Sequence, residues 1–161
     1  MVRIAVIGCG GIGNRHAQHL FKVTDAKIEA AVDIIPERAE KLAAMIGCQP
    51  FTDYREALDQ VDAVWVCTPP DSHRDITVTS LESGKHVFCE KPMALSLQEA
   101  DEMIEAARTN ERLLGIGYCL RFSPWAQMCK DIVTKGEIGE ITLAWITRMS
   151  NIPPAPWLKS Q

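Results

Sequence analysis

Three glycines near the start of the chain have the spacing of a loop that binds phosphate groups. Gly8, Gly10 and Gly13 follow an apolar segment, Val2 to Ile7, and precede a segment that favours helix. In such a loop the first glycine permits a tight turn, the second lets the backbone approach a pyrophosphate, and the third lets the helix pack closely on the strand. The N-terminal N–H groups of the helix then face the phosphates. This arrangement predicts a dinucleotide site whose contacts come from the loop itself: Gly8, Gly10, Gly11, Ile12 and Gly13.

An acidic residue follows the next predicted strand. Asp33 comes directly after Ile28 to Val32, about 20 residues beyond the last glycine, where a carboxylate can accept a hydrogen bond from a ribose 2′-hydroxyl. A carboxylate repels a 2′-phosphate and Ile34 offers that phosphate no cation, so NAD is favoured over NADP. Arg38 is close enough in sequence to keep NADP possible. The alternative for Asp33 is a strand-end residue that caps the next helix at Pro36.

A second group of charges follows the segment His86 to Cys89. Glu90 and Lys91 lie at the carboxyl end of that predicted strand, which is the edge where doubly wound sheets bind their ligands. A lysine there can donate a hydrogen bond to a substrate oxygen and stabilise the alkoxide charge that develops during hydride transfer. The alternative is a lysine that is merely solvated in a loop.

Alternating strands and helices must position these residues. Five apolar segments are predicted as strands: 2–7, 28–32, 63–67, 86–89 and 113–117. Ser72 with Asp75, and Ser96 with Glu99, have capping-box spacing and predict helices that run to about 83 and 109. Alternation of this kind predicts an α/β fold, a doubly wound parallel sheet of the Rossmann type, over residues 1–120.

The pattern changes after Tyr118. Ser123 and Pro124 predict the start of a helix that runs to about Lys135. The segment Ile141 to Met149 then has the alternation of a strand in a second sheet. We interpret residues 121–161 as the incomplete start of a second α+β domain. A lone amphipathic strand exposes unpaired backbone, so we expect this one to pair with another copy in a homo-oligomer, or to be poorly ordered.

Composition narrows the class of protein further. The 161 residues carry a net charge of −4 and have no basic run, which argues against nucleic acid as a partner. No apolar stretch approaches the roughly 20 residues that span a membrane, and the one before Cys9 is too short for a signal peptide. The six cysteines form no C-x-x-C pair, so no metal site is predicted. We expect a cytoplasmic protein with small, buried, reduced cysteines.

The sequence resembles the Gfo/Idh/MocA oxidoreductases, the family of glucose-fructose oxidoreductase and inositol dehydrogenase. The resemblance covers nearly the whole chain and rests on a set of short motifs: the glycine loop with His16 in its helix, Thr68-Pro69-Pro70 followed by His73, Glu90-Lys91-Pro92, Tyr118-x-x-Arg121-Phe122-x-Pro124, and Trp157. Many folds share the glycine loop. Few share the Glu-Lys-Pro triplet together with the Tyr-x-x-Arg-Phe stretch.

The resemblance implies roles for several of these residues. Thr68 and Pro69 would line the cofactor, and Glu90 would approach the nicotinamide ribose. Lys91 would be the catalytic residue, reaching both the nicotinamide and the substrate hydroxyl. The Lys91–Pro92 peptide bond is expected to be cis.

Two further residues are implied less directly. Arg121 matches a position near the nicotinamide end of the cofactor, with a charge pair at the domain junction as the alternative. His73 is interpreted as a helix-start residue near the cofactor. His16 and His19 are interpreted as structural or solvated residues of the first helix.

The chain also departs from the family. Members are about twice as long, and an aspartate and a histidine that transfer protons with the lysine come after the match to Trp157. We therefore predict the cofactor-binding portion of an NAD(P)-dependent oxidoreductase that acts on a secondary alcohol or ketone of a sugar or polyol, without complete catalytic machinery. The alternative is a non-catalytic dinucleotide-binding module, or half of a split protein.

Overall fold

A six-stranded parallel sheet is the centre of the structure. The computed structural model describes residues 1–147. The strands are β1 (Val2–Ile7), β2 (Ala26–Val32), β3 (Gln49–Phe51), β4 (Ala63–Val66), β5 (His86–Cys89) and β6 (Leu114–Ile116). Their order across the sheet is β3-β2-β1-β4-β5-β6, and all five neighbouring pairs are parallel. This is the order of a Rossmann fold, and it confirms the predicted fold class.

Helices alternate with these strands. They are α1 (Gly11–Leu20), α2 (Pro36–Ile46), α3 (Tyr54–Leu58), α4 (His73–Glu82), α5 (Leu97–Thr109) and α6 (Pro124–Thr134). Pro36 occupies the first turn of α2, and Gly47 ends that helix at φ 84°, a left-handed conformation that glycine adopts without strain. No helix in the described part of the chain is both long and apolar enough to cross a membrane.

The core consists of two apolar clusters on opposite faces of the sheet. On one face Ala5 and Ile7 of β1 pack with Val64 of β4, and α3, α4 and α5 contribute Leu58, Leu81 and Met103. On the other face Val6 of β1 packs with Ile28 of β2, and α1 and α2 contribute Ala17 and Leu42. Successive β1 residues point to opposite faces, so both faces are covered by helices.

One strand was not predicted. The strand β3 has three residues, includes Pro50, and pairs with β2 alone at the edge of the sheet. Proline is tolerated at an edge because one side of the strand makes no ladder hydrogen bonds. A segment of three residues is too short to have a period that sequence alone can detect.

The two predicted capping boxes have different outcomes. Ser96 accepts a hydrogen bond from the N–H of Glu99 at 3.2 Å, as expected for α5. The prediction for Ser72 was wrong, because its hydroxyl instead lies 2.9 Å from the Pro69 carbonyl and 2.8 Å from the Thr68 hydroxyl. Ser72 already has helical backbone angles, at the end of a 3₁₀ turn (Pro70–Ser72), so its side chain cannot adopt the capping geometry.

The chain divides into two compact units, Met1–Tyr118 and Cys119–Gln161. The second contains a 3₁₀ turn (Cys119–Phe122) and α6. The predicted strand 141–149 is not observed over 141–147, because these residues pair with no other strand of the described chain, and a strand exists only through its ladder partner. Residues 148 and 149 lie outside the described residues. The assignment of this unit to a substrate and oligomerisation domain stays a prediction.

Candidate functional site

The glycine loop joins β1 to α1 through contacts that leave no space for a side chain. Gly8 has φ +93°, and a Cβ there would lie 2.8 Å from backbone atoms of Cys67 and Thr68. A Cβ on Gly13 would lie 1.8 Å from the Gly8 carbonyl oxygen. The turn and the close packing predicted for Gly8 and Gly13 are therefore present, and they hold the start of α1 against the end of β1.

The outer side of the same loop is open. A Cβ on Gly10 or Gly11 would meet no atom within 4 Å. Gly10 caps α1 without a side-chain hydrogen bond, and the first turn of α1 contains no acidic residue. Asn14 holds the loop from inside by donating to the carbonyls of Cys9 (2.6 Å) and Gly10 (2.9 Å). The positive end of α1 therefore faces open space, and that geometry fits a bound phosphate.

Asp33 connects the end of β2 to the glycine loop. Its side chain is almost buried, with 8% exposed, and its Oδ2 accepts a hydrogen bond from the N–H of Cys9 at 2.8 Å. Its Oδ1 accepts from the N–H of Ile35, the N-cap residue of α2, at 3.0 Å. The carboxylate thus supports both the loop and the start of α2. Each oxygen keeps a second lone pair, so a ribose contact stays a prediction compatible with this geometry.

His73 joins the loops that follow β4 and β5. Its ring is buried, with 1% exposed. Its Nδ1 lies 2.8 Å from the Pro92 carbonyl oxygen, and its Nε2 lies 2.9 Å from the Thr68 carbonyl oxygen. Both ring nitrogens therefore contact backbone, and a direct contact of His73 with a cofactor stays a prediction. The roles of Thr68 and Pro69 at the cofactor also stay predictions.

Glu90 is held by His16, which the sequence analysis interpreted as structural or solvated and did not count among the site residues. His16 Nε2 lies 2.8 Å from Glu90 Oε1, and Glu90 Oε2 accepts from the N–H of Lys91 at 2.9 Å. His16 is only 27% exposed in its side chain. The available signal was its position on α1 between Gly13 and Ala17, the two buried residues that mark the inner face of that helix.

Lys91 is exposed at the carboxyl edge of the sheet. The Lys91–Pro92 peptide bond is cis, as the resemblance implied. The ammonium of Lys91 has no hydrogen bond or ion pair with any other described residue, so its donors are available to a ligand. Arg121 lies in the second unit, in the turn Cys119–Phe122, and its contact with the cofactor stays a prediction.

The cysteines near the site are poor nucleophiles. Burial, reinforced by the carboxylate of Asp33, raises the pKa of Cys9 to about 12. Burial and the carboxylate of Glu90 likewise raise the pKa of Cys67 to about 12. The prediction that the cysteines are buried is wrong for Cys119 and Cys129, which are exposed. Among residues 1–147, no group of three or more histidine, cysteine or carboxylate side chains could hold a metal ion.

The fold and the loop together define a dinucleotide-binding Rossmann domain. Comparison with known families gives the same result, because residues 2–118 match the model of the Gfo/Idh/MocA oxidoreductase family, NAD-binding Rossmann fold. The chain belongs to this family. The resemblance and the NAD cofactor class predicted from the sequence are thereby confirmed.

Similar proteins act on inositols. The chain is 34% identical over 160 residues to an inositol 2-dehydrogenase of Rhizobium meliloti, covering 98% of this chain and 48% of that protein. It is 35% identical to the NAD⁺-dependent scyllo-inositol 2-dehydrogenase of Bacillus subtilis, in a match that covers 98% of this chain and 48% of that protein. The chain thus spans about half the length of the curated relatives it matches.

A solved structure shows the same likeness in three dimensions. The scyllo-inositol dehydrogenase of Lactobacillus casei, crystallised with NAD(H) and scyllo-inositol, superimposes with a TM-score of 0.82 at 28% identity. The match covers 88% of this chain and 43% of that one.

Proposed function

We propose that this chain is the cofactor-binding part of an NAD-dependent oxidoreductase that oxidises a secondary alcohol, or reduces the corresponding ketone, on a polyol or sugar. The observation that carries the proposal is the convergence of two features at one edge of the sheet. The open glycine loop follows β1, and Lys91 follows β5, with only β4 between these strands. Ligands of doubly wound sheets bind at this edge.

The residues present fit a dinucleotide. The start of α1, where no side chain makes a capping hydrogen bond, offers N–H groups to a pyrophosphate. Asp33 follows the neighbouring strand, where the adenosine ribose is expected. Bound NAD would supply a nicotinamide that accepts or returns a hydride. The carboxylate of Asp33 and the absence of a cation at Ile34 support NAD over NADP.

Lys91 would act on the substrate. Its ammonium is free to donate to the oxygen of the reacting carbon, and a positive charge there stabilises an alkoxide. Glu90 and His73 hold the backbone on either side of Lys91, through its N–H and through the Pro92 carbonyl. The relatives that oxidise inositols support a polyol as the substrate class.

The cofactor proposal is tested by titrating the chain with NADH and NADPH while recording nicotinamide fluorescence. We expect NADH to bind more tightly. In Asp33→Asn the preference for NADH should fall about tenfold, since one carboxylate oxygen is lost and the 2′-phosphate is no longer repelled. Asp53→Asn is the matched control, because Asp53 caps α3 and asparagine caps equally well. No binding of either cofactor at millimolar concentration would overturn the proposal.

The catalytic part of the proposal is tested by turnover of myo-inositol and common sugars with NAD. Any activity of the chain should be lost in Lys91→Met, which keeps an unbranched side chain of similar length but removes the ammonium group, while NADH affinity changes little. Lys41→Met, an exposed lysine of α2, is the control. Activity retained in Lys91→Met would contradict the role of the lysine.

A non-catalytic dinucleotide-binding module, or half of a split protein, is the second candidate. One observation favours it: no described residue that could accept a proton contacts the ammonium of Lys91. NADH binding without turnover of any polyol would support this candidate.

Two further expectations belong to the proposal. The first is that the segment 141–149 pairs with its counterpart in a second copy, and analytical ultracentrifugation of the chain with and without Leu143→Lys tests this.

The second expectation is a cytoplasmic location. All six cysteines are free, and free thiols suit the reducing cytoplasm.

A further inference from the structure

The backbone of Lys91 is connected to α1 by a single carboxylate. One oxygen of Glu90 contacts the ring of His16, at 2.8 Å, and the other accepts the Lys91 N–H, at 2.9 Å. His16 lies in the helix that begins at the glycine loop. Two hydrogen bonds, from His16 to Glu90 and from the Lys91 N–H to Glu90, thus connect the helix at the glycine loop to the lysine. They form although 74 residues separate His16 from Glu90.

The surroundings of this contact restrict the carboxylate. A Cβ on Gly117 would lie 3.2 Å from Glu90 Oε1, so the backbone of Gly117 packs directly on the carboxyl group. The ring of His16 meets Phe88 with centroids 5.5 Å apart, and Phe88 stacks on Trp65 at 4.8 Å. The Glu90 side chain is only 17% exposed. These contacts select one position for the ring and one for the carboxylate.

We propose that His16 is a positioning residue for Lys91 that acts through Glu90, so that the helix holding the cofactor phosphates also sets the direction of the catalytic lysine. The inference rests on the proposed function and deepens it. If the mostly buried Glu90 carboxylate loses one hydrogen-bond partner, it gains freedom to rotate, and the Lys91 N–H then loses its acceptor. Reacting groups that are displaced by less than an ångström lose much of their effect.

The test compares four forms of the full chain: wild type, His16→Leu, His16→Gln and His19→Leu. Glutamine keeps an N–H donor near the position of Nε2, whereas leucine has none. His19 is an exposed residue of the same helix and is the matched control. Urea unfolding verifies that each variant is folded.

The first readout is the Lys91 amide in ¹H–¹⁵N NMR spectra of the cofactor-free chain. In His16→Leu we expect this amide to exchange with solvent about tenfold faster and to shift upfield, because its acceptor is no longer held. His16→Gln should restore most of the protection, and His19→Leu should change nothing. An unchanged Lys91 amide in His16→Leu, or an equal change in His19→Leu, would overturn the inference.

The second readout is the acetylation rate of Lys91, measured by mass spectrometry with and without NADH, with Lys41 as the internal reference. NADH should protect Lys91 in the wild type, much less in His16→Leu, and again in His16→Gln, while NADH affinity changes less than threefold. Equal protection in all forms would refute positioning by His16. If His16→Leu does not fold, Glu90→Leu tests the same connection from its other end, because it removes both acceptor oxygens, and the same loss of Lys91 amide protection is expected.

The two arms separate this inference from the function it rests on. If wild-type chain fails to bind NADH, the proposed function is overturned, and the role of His16 with it. If NADH binds and the Lys91 amide is insensitive to His16, only the inference fails.

Discussion

Residues 1–118 bury two apolar clusters on opposite faces of one sheet, whereas no residue between 119 and 147 is buried. In the first unit Leu42 is fully inaccessible. In the second, Leu143 is 81% exposed and Trp145 is 88% exposed. Residues 119–147 have ordinary apolar content in sequence, so they differ from the first unit in that no strand among them offers a sheet face to pack against.

The contrast shows which residues of the site have well-defined positions. The residues that follow the buried strands directly are the glycine loop, Asp33, Glu90 and Lys91. His73 is the first residue of α4, and its ring is itself buried. A packed core fixes the direction in which each strand ends, and therefore the position of the residue that follows it. Arg121 lies in the second unit, where none of the described residues 119–147 is buried, and it has no comparable support among them.

The largest effect that would sharpen this comparison is expected at Gly13. In Gly13→Ala the new Cβ would lie 1.8 Å from the Gly8 carbonyl oxygen, so we expect the first unit to lose about 4 kcal/mol or more of unfolding free energy. Gly11→Ala places the same group in open space and should stay within about 0.5 kcal/mol of wild type. Urea unfolding followed by circular dichroism measures both; similar midpoints would contradict the packing described for α1.

The next prediction concerns the reactivity of the cysteine thiols, which should be much lower in the first unit than in the second. Burial raises the pKa of Cys9, Cys67 and Cys89 to about 12, which lowers their thiolate fraction about a thousandfold relative to an ordinary thiol. Cys119 and Cys129 are exposed. Brief labelling with iodoacetamide at pH 8, read by mass spectrometry, should modify the two cysteines of the second unit first. If these five cysteines were labelled at the same rate, the burial of the three thiols in the first unit would be contradicted.

The smallest of the three effects concerns one residue type in both units. Leu42→Ala empties a buried position under the sheet and should lower the free energy of unfolding by about 3 kcal/mol. Leu143→Ala removes an exposed side chain and should change it by less than about 0.5 kcal/mol. Equal losses, measured by urea unfolding, would mean that Leu143 is buried in solution by a partner.

Most of the first unit could be predicted because its signals are local. The apolar runs of β1, β4 and β5 are local signals, and so are the proline in the first turn of α2 and the caps at Gly47 and Ser96. The edge strand β3 could not be predicted because its three residues have no alternation of apolar and polar side chains; they form a strand only because they pair with β2. Residues 141–147 have a strand pattern but no ladder, since a pattern cannot supply a partner.

The sequence by itself determined the alternation of strands and helices, the glycine spacing that opens a loop for phosphate, and the identity of the lysine at the end of β5. Only the tertiary structure showed that Asp33 holds Cys9, that His73 joins Thr68 to Pro92, and that His16 holds Glu90. These contacts join residues that are distant in the chain. The parallel sheet brings the carboxyl ends of its strands to one edge, and the contacts form only after the core has placed those strands side by side.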